Sequence, residues 1–538
     1  MPAEDLQTGA MGGDPLYVKP NVRIEGLVNQ FFAWLHVVSP VSAAMNLANL
    51  QLPMIDSYVQ HPEVHEAAVA NPKMKGGFFV NVDRSRAGDI KALRDEIKRE
   101  NQPLLELAAA VKEAEELLRA QAAGYHLTPL YPQLPAALRG YVELVYDINN
   151  QPALRFMEPL LYRSRYYRAD RQSIQLSLDD GSEPPFILST PRLPSPKNLQ
   201  LPLPLKHHGI DELFGLRIKP QPFDHIRDAL EVDDDGKAEQ LRGFLTTEPT
   251  SPDDRDVPSG GRIRYLGHAC LLLQSPTVSI IVDPFISSNH AAGDRFTYVD
   301  LPDHLDYCLI THGHQDHIVL ETLLQLRGKV GVVIVPRNGG GHRQDPSIRL
   351  LLQQLGFAVR EVDDFDELPF PGGRVVATPF LGEHCDLDIR GKTSYWIDIA
   401  GRRVFVGADT SGLEAELYRR IREAVGRTDV AFIGMECDGA PLSWLYSALF
   451  TQPVPRKMSI TRKLSGSNAV QATGIVEHLG AGEAYVYAMG QEGWLQHVMA
   501  TSYTPESYQL QQVAQFLAAC RDRGVTAEHL LVRKELRW

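Results

Sequence analysis

"THGHQDH", residues 311–317, follows the apolar run "LDYCLI" and places three histidines and an aspartate within seven residues. His312 and His314 are two apart just past a predicted strand, and Asp316 and His317 follow in what reads as the start of a helix. One turn can thus aim the first pair at one metal ion and the second pair at another. Imidazole suits zinc, iron, nickel and copper, and a carboxylate adds a hard oxygen donor.

The surrounding text has the grammar of a layered sheet protein. Short β-branched or aromatic runs such as "SIIVDPF", "VGVVIVPR", "RVVATPF", "TSYWIDIA", "RRVFVGADT", "DVAFIGMEC" and "EAYVYAMG" end in Gly, Asp or Pro, nine runs in all when "RIRYLGHACLLLQS" is taken as one. Helical segments "DHIVLETLLQLRG" and "PSIRLLLQQLGF" lie between some of them. The expected class is α/β (α+β), with sheets sandwiched by helices.

The first half carries no chemical motif. Residues 88–124 predict a helix pair broken or kinked at Pro103, for which a helical interface is the natural use. The proline-dense residues 182–206 predict an extended connector along the surface, and "TTEPTSPDDRDVPSGG" (246–261) a polar, turn-rich loop. The domain boundary is placed there: 1–250 as an N-terminal dimerisation and lid domain including the connector, 251–538 as the catalytic domain. A chain of 538 residues exceeds one core. No span of about 20 apolar residues is present, the N-terminus lacks the build of a signal peptide, and the expected location is cytoplasmic. Five cysteines without CxxC spacing exclude a zinc ribbon, and a net charge of −13 disfavours nucleic acid or an anionic membrane as partner.

On HxHxDH this sequence resembles the metallo-β-lactamase superfamily, which implies a C-terminal αββα sandwich beside a separate mixed α/β N-terminal domain. The resemblance implies further ligands: Asp409 of "GADT" as a bridge between two metals, and His497 of "GWLQH" as a late histidine, with His478 and His529 as rivals. Hydrolases of the superfamily have a histidine after the strand in "RVVATPF"; here "LGEHCDLDI" offers Glu383 and His384 side by side. In an extended segment neighbouring side chains oppose one another, so only one of them is expected to reach the metal. If Glu383 does, the set is His312, His314 and Glu383 on one ion, Asp316, His317 and His497 on the other, and Asp409 shared. Three carboxylates favour iron or manganese over zinc, which has no redox chemistry.

HxHxDH, "GEHCD", "GADT", "GWLQH" and the two-domain plan together resemble the dinuclear-iron β-hydroxylases of nonribosomal peptide pathways in antibiotic biosynthesis. That resemblance implies an oxo/peroxo-bridged diiron centre, O₂ as cosubstrate and an external electron donor, a reductase. The implied reaction is β-hydroxylation of an amino acid, expected to be aromatic, held as a thioester on an aminoacyl carrier protein, by a homodimer. The rival is a dizinc hydrolase of an ester, lactone or thioester. Supporting candidates are His268 as a site-lining or catalytic residue, Glu436 (rival Asp438) as a substrate- or water-orienting carboxylate, and Asp283 as acceptor for the free N–H of His312. Tyr265 and Trp444 are candidate pocket walls. The basic stretch "VPRKMSITRKLSGS", with Arg456, Lys457, Arg462 and Lys463, is a candidate docking surface for an acidic carrier.

Overall fold

The computed structural model describes residues 14–250, 254–288 and 295–538. Two seven-stranded mixed sheets dominate the second half. The first runs Val359–Val362, Val330–Pro336, Leu305–Leu309, Val278–Val282, Cys270–Ser275, Arg262–Gly267, Lys534–Arg537. The second runs Glu367–Phe370, Gly373–Thr378, Ser394–Ile399, Arg402–Val406, Val430–Gly434, Glu483–Tyr487, Thr526–His529. "RIRYLGHACLLLQS" is therefore two strands, because Gly267 and His268 both take positive φ and turn the chain back on itself. His529, expected in an amphipathic terminal segment, lies on the edge strand of the second sheet.

Alternation along each strand sorts the side chains into layers. Leu271, Leu273, Ile280 and Val282 of the first sheet meet Val375, Ile397, Val404 and Phe432 of the second in one core. On the outer face of the second sheet Trp396, Phe405 and Ile433 pack against helices Glu416–Val425, Ala469–Leu479 and Tyr508–Asp522. The outer face of the first sheet, with Leu272, Ile281, Cys308 and Val333, shares a single core with the N-terminal half. Those strands are thus buried on both sides, which explains why they read as nearly continuous apolar runs.

The N-terminal half holds a four-stranded antiparallel sheet, Phe31–Phe32, Val22–Val28, Gln172–Leu178, Asn198–Leu201, with helices around it. Tyr17–Val18 pairs with Leu245–Thr246 and so joins its beginning to its end. Helices Ala87–Glu100 and Gln102–Gln121 meet at Asn101, whose buried amide donates to the Ile97 carbonyl and to Asn29. Pro103 sits in the first turn of the second helix, where a missing N–H costs nothing. That helix packs its apolar face inside the chain, on Leu104, Leu107, Val111 and Leu118.

The proline-dense segment is extended but does not lie on the surface: Ile187, Leu188, Arg192 and Leu193 are buried, and Ile187 donates its N–H to the His497 carbonyl across the seam between the two halves. Prolines remove donors, so the segment can be buried without ladder partners for every residue. Arg192 grips Glu25 of the central N-terminal strand through Nε and Nη2, at 3.0 and 2.8 Å, and Gln175 donates to the same carboxylate at 3.1 Å. Among the described residues no helix is long and apolar enough to cross a membrane.

Removing one member of a buried ion pair strands the other without solvent or partner. Arg192→Met is expected to cost about 3–5 kcal/mol in chemical denaturation, whereas exposed Arg99→Met, whose partner Glu100 is its sequence neighbour, is expected to cost below about 1 kcal/mol.

Candidate metal centre

The ligand cluster forms where strands Val278–Val282 and Leu305–Leu309, parallel neighbours, reach the same edge of the first sheet. Asp283, fully buried, caps that edge. It accepts from the Thr311 N–H at 2.8 Å, from the Thr311 hydroxyl at 2.6 Å and from His317 Nδ1 at 2.8 Å. The expected acceptor role toward His312 is thus corrected: Asp283 serves His317 directly and His312 only through Thr311. Since the Thr311 hydroxyl spends its proton on Asp283, it accepts from His312 Nδ1 at 3.0 Å. Both rings are thereby held with Nδ1 protonated and Nε2 free to ligate. His314 is fixed the other way round. Its Nε2 meets the Tyr446 hydroxyl at 2.9 Å, and its Nδ1 faces His312 Nε2 at 3.1 Å and Glu383 Oε1 at 3.3 Å.

Residues 311–317 are not the start of a helix; the next helix begins at Leu320, and a turn closed by His317 N–H and Ile318 N–H onto the His314 carbonyl carries the motif. Gly313 leaves room for Leu35 of the N-terminal half, which a Cβ there would meet at 2.8 Å.

Asp409 arrives from the second sheet after Arg402–Val406. Its Oδ2 lies 2.9 Å from His317 Nε2 and 3.7 Å from His312 Nε2, so it faces both histidine pairs. Gly434 makes this possible, because a Cβ there would come within 2.6 Å of Asp409 Oδ1.

Glu383 and His384 both reach the cluster. Gly382, Glu383, Cys385 and Asp386 all have positive φ, so the segment is a left-handed turn rather than an extended strand, and the expectation that neighbours must point apart fails here. Glu383 contacts His314, while the His384 ring lies with those of His312 and His314, centroids 5.3 and 4.4 Å away. His312, His314 and His384 form one group able to hold an ion; His312, His317 and Asp409 form another; His268, Asp316 and His317 form a third.

His497 does not join them. It lies on the short helix Gln496–Met499, beyond the Phe285 ring, with Nε2 3.7 Å from Glu321 Oε2 in the seam between the halves. His268, at the hairpin corner, stands on the cluster side of Phe285 and brings Nε2 to within 3.1 Å of Asp316 Oδ2. Beside Asp316 and His317, where the late histidine is expected, the structure brings His268 from the first hairpin. His478 bonds its own helix at the Gly474 carbonyl.

A cavity of about 590 Å³ opens over His314, Asp316, Glu383 and Asp409. Glu436 and Tyr503 both line it; burial pushes the Glu436 carboxyl up to about 7, with the neighbouring Tyr503 side chain pulling the other way. Trp444 is a wall, as expected, and donates Nε1–H to the Gly76 carbonyl at 2.8 Å. Tyr265 is not: it is a core residue bonded to Glu492. Lys73, Gly76 and Phe79, from the motif-free first half, complete the rim.

The donors suit metal. Glu383 Oε2 and Asp409 Oδ1 are buried and have no hydrogen-bond partner, a costly arrangement unless a cation takes them up, and His317 Nε2 faces only the carboxylates of Asp409 and Asp316. Burial, with His317 and His314 beside it, holds His312 well below the ordinary imidazole range, and burial with His314 does the same for His384, whereas against burial the Asp409, Asp316 and Asp283 carboxylates raise His317 and Glu383 raises His314. Neutral imidazole is the form that ligates. Loss of the orienting carboxylate in Asp283→Asn is expected to weaken metal retention about 10–100-fold in a chelator competition, with the fold intact by circular dichroism.

Residues 17–249 match the family described as "Diiron non-heme beta-hydroxylase N-terminal domain", and residues 279–465 match "Beta-lactamase superfamily domain". The 4-amino-L-phenylalanyl-[CmlP-peptidyl-carrier-protein] 3-hydroxylase of Streptomyces venezuelae is 36% identical over 535 residues, covering 97% of this chain and 99% of the relative. The crystal structure of CmlA, a diiron beta-hydroxylase from Streptomyces venezuelae, superposes with a TM-score of 0.91 at 34% identity, covering 98% of this chain and all of that one. A mutant of that β-hydroxylase superposes at 0.88, also at 34% identity, covering 97% and 100%. A match of this identity running the length of both chains leaves the hydrolase alternative without support, and the chain belongs to the diiron non-heme β-hydroxylase family.

Proposed function

We propose that this enzyme hydroxylates the β-carbon of an aromatic amino acid held as a thioester on the carrier protein of a nonribosomal peptide synthetase. O₂ is the cosubstrate and an external reductase supplies electrons. The observation that carries this reading is the end-to-end match to a hydroxylase whose named substrate is an aminoacyl carrier protein. The shape of the site supports it, since the ligand cluster lies at the floor of a cavity and substrate must reach it from a rim built by both halves.

Glu383, His312 and His314 would hold one iron and Asp316, His317 and His268 the other, with Asp409 between them; His384 stands against the first group as an additional donor. When bound, the irons supply the redox chemistry for activating O₂ that zinc lacks. The chain's own residues do the rest. Asp283, Thr311 and Tyr446 fix which nitrogen of each imidazole faces the site. Trp444 and Phe79 offer aromatic walls to the substrate's side chain. Glu436, which lines the cavity with Tyr503, places a carboxyl where it can accept from the substrate's α-amine, and the Phe285 ring closes the side toward His497. We assign residues 1–250 to a dimerisation and rim-forming domain and 251–538 to the catalytic domain, in a cytoplasmic homodimer.

Protein produced with iron is expected to contain about two irons per chain, and candidate aminoacyl carrier proteins are expected to gain one oxygen by intact-protein mass spectrometry. Zinc alone, with no mass gain on any carrier, would overturn the reading. Glu383→His is expected to keep the fold and lower hydroxylation by about a hundredfold or more.

A further inference from the structure

Of the four basic residues in the stretch 454–467, two are already engaged. Arg462 donates Nε–H to the Cys385 carbonyl at 2.7 Å, and Lys463 pairs with Asp438 at the cavity rim. Arg456 and Lys457, on helix Arg456–Thr461, are exposed and make no ion pair among the described residues. The same short helix exposes two large apolar side chains, Met458 at 45% and Ile460 at 51%. The rim opposite repeats the composition: Lys73 and Met74 are exposed on the turn before Gly76, and Lys73 makes no side-chain ion pair among the described residues, whereas Lys75 is held by Glu183 at 3.1 Å.

These two patches are one surface. Helix Leu442–Tyr446 joins them: Trp444 Nε1 donates to the Gly76 carbonyl, and Ser459 Oγ lies 2.7 Å from Ser443 Oγ and accepts the Ser443 N–H. The cavity opens beside this surface, since Lys73 and Met74 of one patch and Pro441 and Trp444 of the joining segment line it. A basic face with apolar tips, on a chain of net charge −13, is complementary to an acidic partner that also offers an apolar contact.

We propose that Arg456, Lys457, Met458 and Ile460, together with Met74, form the docking surface for an acidic carrier protein, and that Lys73 binds the phosphodiester of its phosphopantetheine arm where the arm enters the cavity. This rests on the carrier-bound substrate proposed above. The surface holds the carrier body outside while the arm passes between Lys73 and Trp444 toward the ligand cluster. Attraction between exposed charges is screened by salt, so docking weakens as ionic strength rises.

The test uses the iron-loaded enzyme and the carrier protein that gains oxygen in the mass assay, with and without its phosphopantetheine arm, followed by fluorescence anisotropy. Arg456→Glu/Lys457→Glu is expected to raise Kd for both forms of the carrier roughly tenfold at low salt, with a smaller effect at high salt. Lys73→Ala is expected to raise Kd roughly fivefold for the arm-bearing form and leave the armless form unchanged. Unchanged affinity in the double variant, with native circular dichroism and iron content, overturns the docking surface while the hydroxylase reading stands. Equal effects of Lys73→Ala on both forms, or none on either, overturn the phosphate site. If no carrier is hydroxylated by the unmodified enzyme, the parent reading falls and this one with it.

Discussion

One buried carboxylate sets the geometry of the centre. Asp283 ends a strand with a left-handed φ and no exposed surface, and its two oxygens take three protons from Thr311 and His317. Through Thr311 it also decides the tautomer of His312. Everything downstream presumes that alignment: the free nitrogens that face Asp409, the position of His314 against Glu383, and the cavity floor they form together. A carboxylate of this kind is costly to bury alone and is stable here because every neighbour gives it a hydrogen bond.

The reach of the first sheet is what makes the two halves one body. Its outer face is not covered by its own helices, as that of the second sheet is, but by the N-terminal strands, helices and the buried proline-rich segment. Leu35 touches the glycine within the metal motif, and the turn containing Lys73 and Gly76 forms the cavity rim. The first half lacks a chemical motif and still shapes the site.

What the sequence made legible follows from how strictly each feature constrains residue type. HxHxDH packs particular residues into a short window, so that cluster could be read from the residues themselves and the layered fold from the strand pattern, whereas Asp409 follows only from the resemblance the motif carries. Glu383 could be preferred over its neighbour His384, but the left-handed turn that lets both in could not be read, because only Gly382 among its four positive-φ residues advertises it. His268 directly follows the strand Arg262–Gly267, and His497 lies on the helix Gln496–Met499 well past its strand; which of them meets the cluster depends on Phe285, from a third segment, which stands between them in space. Tyr446 meets His314 through tertiary contact alone, and no local motif marks it. The connector was misplaced because proline density reports extended backbone and says nothing of burial.

The shared core has a consequence for the modularity of this enzyme. A fragment cut to the length of a metallo-β-lactamase domain would keep every proposed metal donor and yet present the outer face of its first sheet, Leu272, Ile281, Cys308 and Val333, to water. Contiguous apolar strands left bare in that way drive association. The first half is therefore a solubility requirement of the metal-bearing half, and a gene encoding the latter alone would yield aggregate in place of a smaller catalyst.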